Sequence, residues 1–333
     1  MFYHWAPWPI VERYKREMKV TVYQTSPVLL DVKANLEDVI SKIHEGKEDG
    51  AELIVFPELA LTGYFVGHQY HQVALRMNSK EIRSLAKATK GTAAVVGFIE
   101  ESQSMNFYNS AVVLVDGEVL FAYRKLNLPN YGVFEERKYF ASGKQIPVFR
   151  LHDFCIAVFV CNDLWHPSLP YLGVVQKADI FVTIFNSSQG SMGDEFSNIE
   201  SWQIIDVFYS RIFGIYNICA NRVGEEICPD RRELGAEDAY ERLPGEGALS
   251  LQGENPYRFW GGSEIINPFG QNIAKARLYE TDSISTRISK DPLRRKKILL
   301  PYLRNDDPYF TARELKRILD EKTYKSSHCK NDY

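Results

Sequence analysis

The sequence is short of several things, and each shortage removes a class of function. Its five cysteines (Cys155, Cys161, Cys219, Cys228 and Cys329) are odd in number and include no CxxC pair. Three of them, Cys155, Cys161 and Cys219, lie in apolar runs, which predicts reduced thiols rather than a disulfide framework. Surplus charge is missing too. Lys and Arg number 40 against 43 Asp and Glu, a formal net charge of −3, so nothing general draws the chain to nucleic acid or an anionic membrane. No apolar stretch nears the roughly 18 residues of a membrane-spanning helix. The opening MFYHWAPWPIVERYKREM has neither the basic start nor the unbroken apolar region of a signal peptide. A cytoplasmic location is the expectation. No GxGxxG follows a strand-like run and no GxxxxGK[ST] occurs, which leaves nucleotide phosphates without a cradle. His68 and His71 make an HxxH spacing but lack the following glutamate or a nearby third ligand, so no metal is expected. No cofactor is predicted.

What is present is an alternation of strands and helices. Lys19–Gln24 reads as a strand, and Asp31–Gly46 as an amphipathic helix with Leu36, Val39, Ile40 and Ile43 on one face. Strand patterns follow at Leu53–Phe56 and Thr92–Ile99, with a helix at Ser79–Thr89 between them. Asp116-Gly117 separates Asn109–Val115 from Glu118–Arg124 and predicts a hairpin. The order then repeats: strand Phe154–Val160, helix Tyr171–Lys177, strand Asp179–Phe185, helix Ile199–Phe213 and strand Ile215–Ala220. Gly261–Ile266 opens a last hairpin that turns at Asn267-Pro-Phe-Gly270. Helices alternating with continuous apolar strands predict an α/β protein with mixed sheets covered by helices, in one domain. Residues 225–257 are polar, Gly/Pro-punctuated and too long for a routine connection, which suggests a lid or an insertion. Residues 289–333 are charged, with a helix at Phe310–Lys322 and a frayed end. Such an arm is expected on a partner subunit or on the surface.

Three strands end in residues that could react. Leu53-Ile-Val-Phe-Pro57 runs into Glu58, Val119-Leu-Phe-Ala-Tyr-Arg124 into Lys125, and Ile156-Ala-Val-Phe-Val160 into Cys161. Ligands of such sheets collect at strand ends. Taken singly, each residue reads as a surface carboxylate, a solvated strand terminus or a small core hydrophobe. Together they fit acyl transfer. A thiol needs a base or a cation to become nucleophilic, and a carboxylate and a lysine supply both. The lysine can also hold the oxyanion formed at a carbonyl. A Cys161–His166 pair is the rival, with His166 five residues downstream in the adjoining loop.

FPELALTGY around Glu58, YRKLNLPNYGVFEERKYF around Lys125 and VCNDLW around Cys161 resemble the nitrilase superfamily of carbon–nitrogen hydrolases. FNSS, ANRVG and GGSEIINPFG follow in the matching order, and the resemblance covers roughly residues 19–288. It implies a four-layer αββα sandwich, usually dimerised, with an extension at 1–18 before it and the arm at 289–333 after it. It implies Glu58 as general base, Lys125 as oxyanion stabiliser, Cys161 as nucleophile and the backbone N–H of Asn162 as a second oxyanion donor. A second glutamate after the lysine is also implied, Glu136 by its spacing before the arginine and the aromatic pair, with Glu135 as the alternative. No metal or organic cofactor is required.

Within the superfamily, LPNYGVFEERKYF and the CxDLW pattern are most similar to the glutaminase domain of glutamine-dependent NAD synthetases. Those normally carry Glu after the cysteine, where this chain has Asn162. The sequence holds no SGGxDS-like loop and no synthetase domain, so transfer of ammonia to a fused synthetase is not expected. True nitrilases usually place Trp-Glu after the cysteine. The expected activity is therefore that of an amidase, cleaving a small carboxamide to a carboxylic acid and ammonia through a thioester. Nitrile or N-carbamoyl hydrolysis is the alternative, and a non-catalytic or ammonia-supplying subunit stands as a reading of another class. Tyr131, Phe134, Trp165, Asn186 and Ser187 are the candidate substrate contacts, an aromatic wall with a few amide and hydroxyl groups. Asn221 and Arg222 read as buttresses of the site or of a dimer contact. The expected partners are a small amide or nitrile substrate and further copies of the chain, as a homodimer or higher homo-oligomer, without nucleic acid or membrane.

Overall fold

The computed structural model describes residues 17–190, 197–227 and 256–325. Residues 1–16, the predicted frayed end and most of the 225–257 loop lie outside the described residues, as do Cys228 and Cys329.

The first half of the chain runs β1 (Met18–Gln24), α1 (Val32–Glu48), β2 (Leu53–Val55), α2 (Tyr70–Val73) and α3 (Lys80–Ala88). It continues through β3 (Ala93–Glu101), β4 (Phe107–Val115), β5 (Glu118–Arg124) and the single turn α4 (Glu136–Tyr139). The second half repeats the plan with β6 (Val148–Leu151), β7 (Phe154–Val160), α5 (Ser168–Val175), β8 (Ile180–Phe185), α6 (Asn198–Phe213) and β9 (Tyr216–Asn221). Short strands follow: β10 (Val223–Glu226), β11 (Tyr257–Trp260), β12 (Glu264–Ile266), β13 (Asn272–Lys275) and β14 (Asp282–Ile288). The helices α7 (Lys290–Leu299) and α8 (Pro308–Lys325) come last.

Caps set the helix starts where the sequence predicts them. Asp31 accepts from the Ala34 N–H and Ser79 from the Ile82 N–H, each satisfying an otherwise orphaned donor of the first turn. At the end of α6, Gly214 takes the left-handed conformation (φ 67°) that stops the helix. Asp116 and Gly117 both have positive φ, as a two-residue hairpin turn requires.

The strands form two six-stranded sheets, ordered β14-β1-β2-β3-β4-β5 and β13-β12-β9-β8-β7-β6. In each, three neighbouring strands run parallel (β1–β2–β3 and β7–β8–β9) and the outer pairs are antiparallel. Period-two alternation decides which side chains meet. Val20, Val22, Val55 and Val95 of one sheet face Ile156, Val158, Ile184 and Ile218 of the other in a shared core. The opposite faces carry Ile54, Phe56 and Val96 against α1 and α3, and Phe159 and Phe181 against α5 and α6. The result is the four-layer αββα sandwich. Among the described residues no helix is long and apolar enough to cross a membrane. Residues 290–299 pack on the same chain: Leu293 is buried in the shared core and Lys290 pairs with Asp179 at 2.5 Å.

Two glycines let the site-bearing segments come close. A Cβ on Gly97 would lie 2.4 Å from the Leu59 nitrogen and 2.6 Å from the Glu58 Cα; one on Gly143 would lie 2.1 Å from the Arg124 carbonyl oxygen. All of these neighbours are backbone, which cannot swing aside. Gly97→Ala is therefore expected to lower stability by about 2 kcal/mol, within the range for overpacking a core. It should also displace Glu58, the expected general base, and so lower any amide hydrolysis that the folded variant retains. Thermal melts read alongside kcat check both effects.

Candidate active site

Lys125 organises the site. It follows β5, is fully buried, and its Nζ donates to Glu58 Oε1 at 2.9 Å and to Glu136 Oε1 at 2.7 Å. Glu58, three residues past β2, is also fully buried and accepts from Asn109 Nδ2 at 2.7 Å through the same oxygen. Its Oε2 has no hydrogen-bond partner among the described residues, and neither has Glu136 Oε2. Each carboxylate is thus anchored by one oxygen, leaving the other to take part in chemistry. Glu135 is exposed and lies 3.6 Å from Lys138, so of the two glutamates considered only Glu136 enters this group.

Cys161 stands where β7 stops. Its φ of 48° is a left-handed conformation that costs a non-glycine residue roughly 1–2 kcal/mol. This turn takes the chain out of the sheet and into the 3-10 turn Cys161–Trp165. A strained strand-to-helix turn of this kind displays a nucleophile at the sheet's end instead of folding it into the core. Asp163, at the base of the turn, accepts from the backbone N–H groups of Leu126 and Asn127 and from the Tyr123 hydroxyl. It thereby fastens the lysine segment to the cysteine segment. His166 is exposed at the end of the turn and does not line the cavity beside Cys161, which removes the rival Cys161–His166 pairing.

That cavity holds about 50 Å³, room for a few water-sized groups. Its walls include Cys161, Asn162 and all five candidate substrate contacts, Tyr131, Phe134, Trp165, Asn186 and Ser187. Pro129, Asn198 and Trp202 complete them. The Tyr131 hydroxyl donates to Asn162 Oδ1 at 2.8 Å, closing one side.

Burial pulls the Lys125 ammonium down, but the charges of Glu136 and Glu58 outweigh it and hold the pKa well above the usual lysine value. Glu136 is pushed up to about 7, mainly by burial, with Lys125 and Tyr64 opposing. Burial also pushes the Cys161 thiol well above its ordinary value, and the two carboxylates add to this against Lys125. Cys161 therefore rests as a thiol, and any attack by it would need a neighbouring base rather than a preformed thiolate.

Tyr64 donates its hydroxyl proton to Glu136 Oε1 at 2.7 Å. A donor to a carboxylate favours the ionised form and lowers its pKa. Tyr64→Phe is therefore expected to raise the Glu136 pKa, moving the acid limb of the kcat/KM profile about one unit to higher pH. An unmoved acid limb would show that Glu136 does not control it.

The family model for carbon-nitrogen hydrolases matches residues 19–296. The chain belongs to the carbon-nitrogen hydrolase family. This carbon-nitrogen hydrolase is 29% identical over 282 residues to the glutamine-dependent NAD(+) synthetase of Thermotoga maritima, a match covering 83% of this chain and 43% of that protein. It thus spans less than half the length of that curated relative. A solved carbon-nitrogen hydrolase from Helicobacter pylori G27 shares the fold with a TM-score of 0.73 at 20% identity, over 90% of this chain and 98% of that one. A mutant amidase from Nesterenkonia sp. AN1 gives a TM-score of 0.68 at 19% identity, over 89% and 96%.

Several residues of the hydrolase site carry no signal in the sequence. Asn109 is one polar residue in an apolar strand, and Tyr64 sits six residues past Glu58 in a loop. Behind Tyr64 lies a buried ion pair: Arg222 bonds Glu226, and Glu226 accepts from the backbone N–H groups of Tyr64 and Phe65. Asn221 accepts from the Ser187 N–H at 3.0 Å and donates to the Gly261 carbonyl at 2.9 Å. Both predicted buttresses thus brace the hydrolase site from within its own chain.

Proposed function

We propose that this carbon-nitrogen hydrolase is an amidase that converts a small carboxamide to its carboxylic acid and ammonia through a thioester on Cys161. The observation that carries this reading is Lys125 held between Glu58 and Glu136, each with one unpartnered oxygen, in the electrostatic reach of a displayed thiol. Glu58 takes the thiol proton as sulfur adds to the carbonyl carbon. The oxyanion rests against the Lys125 ammonium and the backbone N–H of Asn162, which lies in the first turn of its 3-10 segment and has no acceptor within it. Glu58 passes its proton to nitrogen, the carbon–nitrogen bond breaks, and ammonia leaves. Glu58 then takes a proton from water, whose oxygen adds to the thioester carbonyl. The carbon–sulfur bond breaks, the proton returns to sulfur, and the acid departs. Glu136 orients Lys125 throughout.

The likeness to a glutamine-dependent synthetase supports a second reading, in which the amide is that of glutamine. The test for both is ammonia release across an amide panel, with hydroxylamine added to divert the acyl-enzyme to a hydroxamate. Ammonia and hydroxamate together support the thioester route; neither product from any amide, nitrile or carbamoyl compound would end the catalytic reading. A mechanism that needs a reduced thiol suits a cytoplasmic setting. Exposed Ile204 and Phe208 on α6 support assembly into a homo-oligomer.

A further inference from the structure

Asn186 follows β8 directly and stands at the end of the strand next to the one that carries Cys161. Its side chain is 1% exposed, yet neither Nδ2 nor Oδ1 has a hydrogen-bond partner among the described residues. Other buried amides of the site are engaged at one atom or both: Asn109 Nδ2 with Glu58, though its Oδ1 is unpartnered, and Asn221 with Ser187 and Gly261. A buried amide left unbonded is costly, and such a group persists where a ligand completes it. Asn186 lines the same cavity of about 50 Å³ as the nucleophile.

The other walls say what else the occupant can carry. Trp202 stacks on Phe185 at 4.1 Å and meets Trp165 edge-on at 5.7 Å, and Phe134 faces the cavity with them. Among the described residues of the wall, Cys161 and Tyr131 are the ionisable ones; none is a carboxylate, lysine, arginine or histidine. A charged substituent set against this wall would lose hydration and meet no counter-ion among its described residues, which is strongly unfavourable.

We infer that the acyl group is small and uncharged and carries, next to the scissile carbonyl, a hydroxyl or amide group that both donates to and accepts from Asn186. The inference rests on the amidase reading and narrows it. Glutamine, whose acyl group bears an ammonium and a carboxylate, does not meet these terms.

Glycolamide and propionamide, nearly equal in size and differing by a hydroxyl for a methyl, make the test. Wild-type enzyme is expected to favour glycolamide in kcat/KM by about tenfold or more, and to turn over glutamine and succinamate at least about tenfold more slowly than glycolamide. Asn186→Leu, which keeps the branched four-atom skeleton but no polar atom, should erase the glycolamide preference. Equal rates for the two neutral amides, a preference for glutamine, or a preference that survives Asn186→Leu would overturn the inference while leaving the amidase reading standing. If Asn186→Leu does not fold, the wild-type series decides alone. Binding to Cys161→Ala, read by the fluorescence of Trp165 and Trp202, separates the two claims. Selective binding of glycolamide without turnover by the wild type would keep this inference and end the hydrolytic one, and no selectivity in either assay would end this one.

Discussion

Cys161→Ala is expected to fold, assemble as the wild type does, and release no measurable ammonia. Loss of a covalent nucleophile typically costs about 10⁶-fold, so the variant should fall at least about 10⁴-fold with every amide tried. The thiol is only partly buried at the cavity wall, and alanine bears the φ of 48° no worse than cysteine does. Thermal stability should therefore move little. Hydroxamate formation and a mass increment under a slow substrate should vanish together. Substantial residual turnover with a clean fold would mean that another group attacks the amide.

The second large effect is at Lys125. Lys125→Met keeps the length of the side chain but removes the ammonium that both buried carboxylates share. An oxyanion donor is lost, worth at least about 100-fold in kcat. The base is lost as well. Two carboxylates in a dry site without their cation favour the protonated form, and a protonated Glu58 cannot accept the thiol proton. The remaining activity should then appear only toward higher pH. Removing one member of a buried ion pair costs about 3–5 kcal/mol, a figure that proton uptake by the carboxylates reduces, so the fold is checked by circular dichroism before rates are compared. Near-wild-type kcat would show Lys125 to be structural.

The mixed α/β sheets were legible from their apolar strand runs, and the four-layer arrangement from the family resemblance. Glu58 and Cys161 stand out because β2 and β7 are apolar runs buried on both faces; Lys125 follows β5, which is half exposed, and stands out only beside the other two. Glu136 emerged from its resemblance to a family pattern. Its neighbour Glu135 differs from it by one position and by being exposed, which no composition encodes. The strands that went unread, β6, β10, β11 and β14, are short or carry exposed side chains, as in the DSISTRI of β14, so they offer no apolar run to find. Trp202 is a similar case. On α6 it reads as one more core aromatic, and only the fold brings its ring to the cavity wall.

The sheet that carries Glu58 and Lys125 has β14 at one end, paired with β1 from Met18↔Ile288 to Gln24↔Asp282. Thr21 and Ser285 bond across that seam at 2.7 Å, with 264 positions between them along the chain. During synthesis β1 must wait, one edge unpaired, until residues 282–288 have left the ribosome. Contacts of such separation slow folding and expose strand edges to wrong partners in the interval. The strand that seals β1 is thus made more than 250 residues after it, and the first sheet cannot be completed until then.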